Sequence, residues 1–358
     1  MRSIHSRTIA RVNLGAIRHN LSRVKSLCPG AKISGVVKAD GYGHGVGHVL
    51  EAVGEMVDGF AVASLGEAIE LRKVGFKGEI WVFSGILLDE EVSVFQQQKL
   101  TPVVHNANQL RLAQSRGFDL PLILKVDTGM GRLGFKPQTA RKIIESLIMN
   151  GSLAVVMGHF SHADVRGSEI TRQQLNSFLS IEEPEEFERS IAASAGILSG
   201  VGTNLSWVRP GLALYGVSPF QDSVGQEHGL IPAMTLQSRL IAVRMFDRGD
   251  SLGYGGEWIC PETMPVGFVG CGYGDGYPRS ISVGTCIVMR GKKVPIIGRI
   301  SMDSMAVDLR GINDAKLGEP VILWGDGLPI EGIARAANTI PNEILSRLPH
   351  RVDRIAEV

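Results

Sequence analysis

Cysteine is scarce in this chain. There are four in 358 residues (Cys28, Cys260, Cys271 and Cys286) and no two of them form a C-x-x-C pair. That spacing argues against a zinc site or thioredoxin-like chemistry, so no metal is expected. Sparse cysteine also fits a reducing compartment. Charge of one sign is lacking as well: 37 Lys and Arg stand against 36 Asp and Glu, a net +1, with no long basic or acidic block. Nucleic acid and membrane surfaces are therefore poor partners. No run approaches the roughly 18 apolar residues of a membrane span. The opening "MRSIHSRTIARVNLGAIRHNL" is broken by charges and lacks the apolar core of a signal peptide. A cytoplasmic location is the expectation. There is no internal repeat and no low-complexity tract.

What the chain does have is a soluble globular composition, 44% hydrophobic and 20% charged, with 44 glycines. Its length exceeds what one core usually serves, which favours two domains. From residue 33 short apolar runs alternate with amphipathic stretches. The predicted strands are "ISGVVK", "GFAVA", "EIWVFSG", "LTPVVH", "PLILKVD", "AVVMGHFS", "SIAASAGIL" and the "SWVRPGLALYG" region. Helical patterns lie between several of them. In "VGHVLEAVGEMV" one face is apolar. "SLGEAIELRKVG" opens with a Ser N-cap and Glu67 three residues on, a capping box. Eight strands, mostly followed by helices, point to a (β/α)8 TIM-type barrel. A doubly wound sheet is the competitor, but no G-x-G-x-x-G follows the first strand. Near residue 222 the pattern turns to strands divided by glycine turns, then the short helices "PIEGIARAAN" and "PNEILSRL". The expectation is a barrel over 9–222 and a mainly β domain over 223–358, joined by an N-terminal strand within 1–8.

Barrel enzymes carry their active residues at the C-terminal ends of the strands. Lys38 ends the first predicted strand, Lys125 the fifth, His159 the sixth and Ser194 the seventh; Arg209 lies in the eighth, before Pro210-Gly211. Each alone has a bland reading: a solvated edge lysine, a satisfied buried histidine, an ordinary ion-pair arginine. Together they converge on one mouth. A lysine there can form a Schiff base with a carbonyl, notably that of pyridoxal 5'-phosphate (PLP). Ser194, the Gly211-Leu212 backbone and Tyr42 from "ADGYGHG" could receive a phosphate.

"VVKADGYGHG", "LKVDTGMGRLGF", "HFSHAD", "ASAGIL", "VRPGLALYG", "SLGYGG", "GYGDGYPR" and "GRISMD" occur in this order over nearly the whole chain. In them the sequence resembles the alanine racemases, PLP enzymes of a barrel-plus-β-domain type. The resemblance implies interconversion of L- and D-alanine, with Lys38 as Schiff-base lysine and base on the D face, and Tyr254 as base on the L face. It assigns Tyr42, Ser194, Gly211 and Leu212 to the phosphate and Arg209 to the pyridine nitrogen. Arg132 would contact the phenolic oxygen and the substrate carboxylate, His159 would stand behind Tyr254, and Met302 would touch substrate through its backbone amide. Asp164, Tyr273, Arg279, Arg299 and Ile344 would line the entrance corridor. Lys125 would be carbamylated and steady Arg132. The implied assembly is a head-to-tail homodimer in which each β domain closes its partner's barrel. A broad-specificity or serine racemase is the same-class alternative, favoured by aligning Ser346 with a bracing tyrosine of some relatives. A PLP-dependent decarboxylase lacks its acid-and-cysteine site here. A PLP-binding homeostasis protein would be a barrel alone, without "SLGYGG" and "GRISMD".

Overall fold

The computed structural model describes residues 6–181 and 187–358. A first strand, β1 (Ile9–Asn13), is followed by a helix over Leu14–Leu27 and then by β2 (Lys32–Val36), β3 (Gly59–Val62), β4 (Glu79–Val82), β5 (Thr101–Val104), β6 (Leu122–Lys125), β7 (Leu153–Met157), β8 (Glu188–Ala193) and β9 (Trp207–Arg209). Among the described residues, β2 to β9 run parallel in sequence order. β9 pairs back with β2 through Lys32 opposite Trp207 and Ile33 opposite Val208, which closes the barrel and excludes an open sheet. All four residues of β3 and of β6 are buried, as expected for parallel strands covered on both faces.

The local signals behave as their chemistry requires. Ser64 caps the helix Leu65–Lys73, with its hydroxyl taking the Glu67 N–H and the Glu67 carboxylate reaching back to Ser64. Two predicted elements end earlier than their sequence suggests. The helix from Val46 stops at Val53, and the seventh barrel strand gives way to a helix at Ser194–Ser199.

The C-terminal part contains β10 (Met234–Phe246), the short hairpin strands β11 (Ser251–Leu252) and β12 (Trp258–Ile259), β13 (Met264–Val269), β14 (Cys286–Met289), β15 (Lys292–Ile297), β16 (Met305–Asp308), β17 (Pro320–Trp324) and β18 (Asp353–Glu357). Eight strands form one sheet in the order β13-β16-β15-β14-β17-β10-β1-β18. The N-terminal strand of this sheet is Ile9–Asn13, antiparallel to β10 and parallel to β18. This corrects the expected placement within 1–8: the in–out alternation that buries Ala10 and Val12 falls at Ile9–Asn13, and the chain enters the barrel at Asn13, whose side chain caps the next helix. Residues 1–5 of that expectation lie outside the described residues. Polar ties fasten the two parts. Asn20 bonds Leu214 O and both backbone groups of Ile231, and the buried Glu331 carboxylate accepts the N–H of Ser218 (2.8 Å) and of Gly225 (2.9 Å).

The glycine-rich run after β2 is a left-handed turn. Ala39, Asp40, Gly41 and Tyr42 have φ of 53°, 54°, 61° and 51°. Three of these carry side chains, each disfavoured there by about 1–2 kcal/mol. The turn is held from several sides. Asp40 accepts the Val46 N–H, buried His44 bonds the carbonyls of Gly41 and Tyr42, and His44 stacks on Tyr215 at 4.4 Å. Tyr215 in turn donates to Val36 O. From the C-terminal strand, Arg354 donates to Gly43 O. Gly43 itself has φ 77°, and a Cβ there would stand 2.1 Å from Leu345 O. Gly43→Ala is therefore expected to destabilise the protein by about 2 kcal/mol or more. Urea denaturation of variant and wild type measures this, and equal midpoints would refute the packing argument.

Candidate active site

The C-terminal ends of the barrel strands open into a cleft of about 610 Å³. Lys38, Tyr42, Lys125, Arg132, His159, Asp164, Ser194, Arg209, Gly211 and Leu212 all line it. Each comes from the end of a strand or the loop just after it, where the barrel concentrates side chains from elements distant in sequence. Lys38 immediately precedes the left-handed turn, two residues beyond the end of β2. Burial pushes its amine below the usual lysine range; Arg132 adds to the effect and Glu67 opposes it.

Arg209 is buried at the cleft floor. Its guanidinium donates to Ser190 Oγ (2.5 Å), Gly158 O (2.8 Å), His159 Nδ1 (3.2 Å) and Ile191 O (3.4 Å). Burial lowers its pKa to about 9, which leaves it charged at neutral pH. His159 is driven well below the ordinary histidine value by burial and then by the cations Arg209, Lys125, Arg132 and Lys38. A neutral ring that accepts at Nδ1 carries its proton on Nε2. Lys125 is buried, donates to Val126 O at 2.9 Å, and has its pKa lowered to about 7 by burial and then by Arg209. Asp127 shapes the loop that brings Arg132 to the cleft: its carboxylate accepts the N–H groups of Gly129, Met130 and Gly131.

At one end of the cleft lies a small polar cradle. Ser194 Oγ accepts from Gly211 N (2.9 Å) and Ala213 N (3.1 Å), so its own proton is free to donate. Burial pushes the Tyr42 hydroxyl up to about 12, which keeps it a donor. A Cβ on Gly211 would stand 2.9 Å from Tyr42 Oη and would narrow this space. Two hydroxyl donors, a backbone without a side chain, a buried cation and an amine with a depressed pKa fit an anionic aldehyde cofactor.

Not every predicted residue lies here. Tyr254 is 66% exposed at the tip of the β11–β12 hairpin, and no residue of that hairpin lines the cleft. Met302 and Tyr273 are exposed too, and are linked through the Tyr273 N–H to Ser301 O and the Gly274 N–H to Met302 O. Arg299 borders the same hairpin and pairs with Glu257. Tyr273, Arg279 and Ile344 line a second cavity of about 450 Å³ with Glu343 and Arg347. Ser346, offered as the residue opening the pocket, is exposed on the Glu343 carbonyl and lines neither cavity. The sequence reading missed His105, which directly follows the fourth barrel strand and lines the cleft, and Ile340 and Asn342. The strand-end rule that picked out Lys125 applies to His105 equally. Ile340 and Asn342 arrive from the C-terminal part and carry no local signal.

Two family models match, "Alanine racemase, N-terminal domain" over residues 12–219 and "Alanine racemase, C-terminal domain" over residues 233–356. The chain belongs to the alanine racemase family. It is accordingly an isomerase, an amino-acid racemase. It is 45% identical over 351 residues to an alanine racemase of Nitrosococcus oceani, covering 97% of this chain and 98% of that protein. Its structure resembles that of the biosynthetic alanine racemase from Pseudomonas aeruginosa, with a TM-score of 0.94 and 39% identity, covering 99% of this racemase and 100% of that chain. A third likeness, with a TM-score of 0.90 and 28% identity over 98% and 100% of the two chains, is to an alanine racemase from Bartonella henselae with covalently bound pyridoxal phosphate. Matches to both domains exclude the barrel-only alternative. Among the described residues no helix is long and apolar enough to cross a membrane.

The neutral His159 ring is directly measurable. In the racemase the ¹⁵N resonances of His159 are expected to keep the neutral, Nε2-protonated pattern from about pH 8 down to about pH 5.5, where a free imidazole becomes mostly charged. A titration near the ordinary value would overturn the electrostatic description of the cleft.

Proposed function

We propose that the chain interconverts L- and D-alanine with PLP held by Lys38, and that each working site is built by two copies of the chain. What supports this reading is the separation of the two bases. Lys38 lies in the cleft, while Tyr254 stands on an exposed face of the C-terminal part, away from it. Racemisation at Cα needs proton transfer on both faces, so the chain's own fold leaves the site one base short. A head-to-tail dimer with two-fold symmetry supplies the missing group twice, once to each cleft.

Bound PLP supplies the electron sink that acidifies the substrate's Cα proton. The chain's residues do the rest. The Tyr42 and Ser194 hydroxyls and the Gly211–Leu212 backbone hold the phosphate. Arg209, fixed by four acceptors and charged at neutral pH, would meet the pyridine nitrogen and donate to it, leaving that nitrogen without a proton. Arg132 takes the substrate carboxylate by a bidentate contact. Lys38 Nζ moves the proton on the D face and the partner's Tyr254 on the L face. Each positioned group contributes typically 10²–10⁴-fold. Met302 meets the substrate through its backbone amide. Asp164, Tyr273, Arg279, Arg299 and Ile344 border the route in, and the four free cysteines fit a reducing, cytoplasmic setting.

Lys125 is carbamylated in this reading. An amine with a pKa near 7 is largely neutral under physiological conditions, and the neutral amine adds to carbon dioxide with loss of one proton. The product is an anion able to hold the Arg132 fork. In ¹³C-bicarbonate the protein is expected to show a carbamate resonance that Lys125→Gln lacks; identical spectra would refute the modification.

Subunit exchange tests the shared site. Mixing inactive Lys38→Ala chains with inactive Tyr254→Phe chains makes about half the dimers mixed, each with one intact site. Activity should return to roughly a quarter of wild type. No recovery after complete exchange, shown by mass spectrometry, would mean that the site forms within one chain.

A further inference from the structure

The capping box at Ser64 and Glu67 does more than start a helix. A capping glutamate ordinarily returns one oxygen to the N-cap backbone. Here Glu67 Oε2 takes the N–H of Ala63 (2.7 Å) and of Ser64 (3.2 Å), and Oε1 crosses to the N–H of Ala39 at 2.8 Å. Ala39 is the residue after Lys38 and the first left-handed position of the turn. The Val37 N–H still donates to Ala61 O of the barrel (2.9 Å), whereas the Ala39 N–H goes to the carboxylate. Lys38 is thus flanked by two backbone N–H groups, and both are fixed by the β3 edge of the barrel. The second of them rests on a side chain.

We propose that Glu67 is a positioning residue for Lys38. It clamps the left-handed turn to the start of the Leu65–Lys73 helix, and so sets where the lysine amine stands in the cleft and how well the amine holds a cofactor aldehyde. The role is geometric, because the charge acts the other way, as the smaller of the two ionic influences on Lys38, by favouring its ammonium form. Arg132 disfavours the ammonium form of Lys38, and Glu67 is the carboxylate that opposes it. Ala63, the residue under the other carboxylate oxygen, also lines the cleft. The left-handed φ of Ala39, Asp40 and Tyr42 stores strain that only surrounding contacts can maintain. Loss of the Glu67 contact removes the support adjacent to the amine. The inference rests on the PLP reading given above.

The test separates this role from helix capping. Apo wild type, Ser64→Ala, Glu67→Ala and Glu67→Gln proteins are titrated with PLP, following the visible band of the bound cofactor and its reducibility by borohydride. Ser64→Ala removes the hydroxyl that accepts the Glu67 N–H but leaves the carboxylate. It is expected to lower thermal stability and to bind PLP within about twofold of wild type. Glu67→Ala is expected to bind PLP at least about tenfold more weakly, with a displaced or diminished band. Glutamine has one acceptor oxygen, so it can serve Ala39 or the Ala63–Ser64 pair but not both, and Glu67→Gln should fall between. A Glu67→Ala protein with wild-type PLP affinity and band overturns the proposal, whatever its thermal stability. If that variant does not fold, Glu67→Gln decides in the same way. A wild-type protein without a borohydride-reducible band overturns the cofactor reading and this inference with it.

Discussion

The four residues after Lys38 turn with the wrong hand for L-amino acids, and much of the molecule is arranged to keep them there. The barrel wall contributes Val36 O and the Glu67 carboxylate. The loop after β9 contributes Tyr215, with His44 stacked on it. The C-terminal strand contributes Arg354, whose guanidinium also gathers the carbonyls of Leu348, Pro349 and Val352. A right-handed turn would need none of these, but it would carry Lys38 and Tyr42 in a different direction. The strain is therefore tied to the placement of an amine and a phenol in one cleft, and the contacts that hold it come from both parts of the chain.

Charge follows the same logic. Lys38, Lys125, Arg132 and Arg209 converge on one cleft. Burial and mutual repulsion push the two amines and His159 toward their neutral forms, while Arg209 remains charged at neutral pH. The result is a cleft whose amines have depressed pKa values beside guanidinium cations. Such a cleft suits a doubly anionic phosphate and a carboxylate, since each guanidinium can gain an anion.

Legibility in the sequence depended on how local the cause is. The eight barrel strands read clearly because each is a short apolar run between turn signals, and the strand-end rule placed Lys125, His159, Ser194 and Arg209 at the mouth. Ser64 and Glu67 announced a helix start, but nothing in "SLGEAIEL" showed that the carboxylate's second oxygen reaches residue 39. The glycines of "ADGYGHG" suggested a permissive backbone, whereas the left-handed residues include Ala39, Asp40 and Tyr42, which only tertiary contacts can hold there. Motif resemblance singled out Tyr254 and Met302, although no pattern of polarity along the chain separates them from ordinary surface residues. Ile340 and Asn342 enter the cleft through a fold-back that no local spacing encodes.

The position of β1 carries a kinetic consequence. It lies in the C-terminal sheet between β10 and β18, yet it precedes the whole barrel in the chain. Its parallel partner, β18, lies nearly the full chain length away, so closing that pair carries one of the largest loop entropies available to this protein. During synthesis the barrel strands can assemble as they emerge, but β1 must wait with an unsatisfied edge until the last strand is made. Contacts of such sequence separation slow folding. An exposed edge held open that long is also the part of the nascent protein most open to wrong pairing.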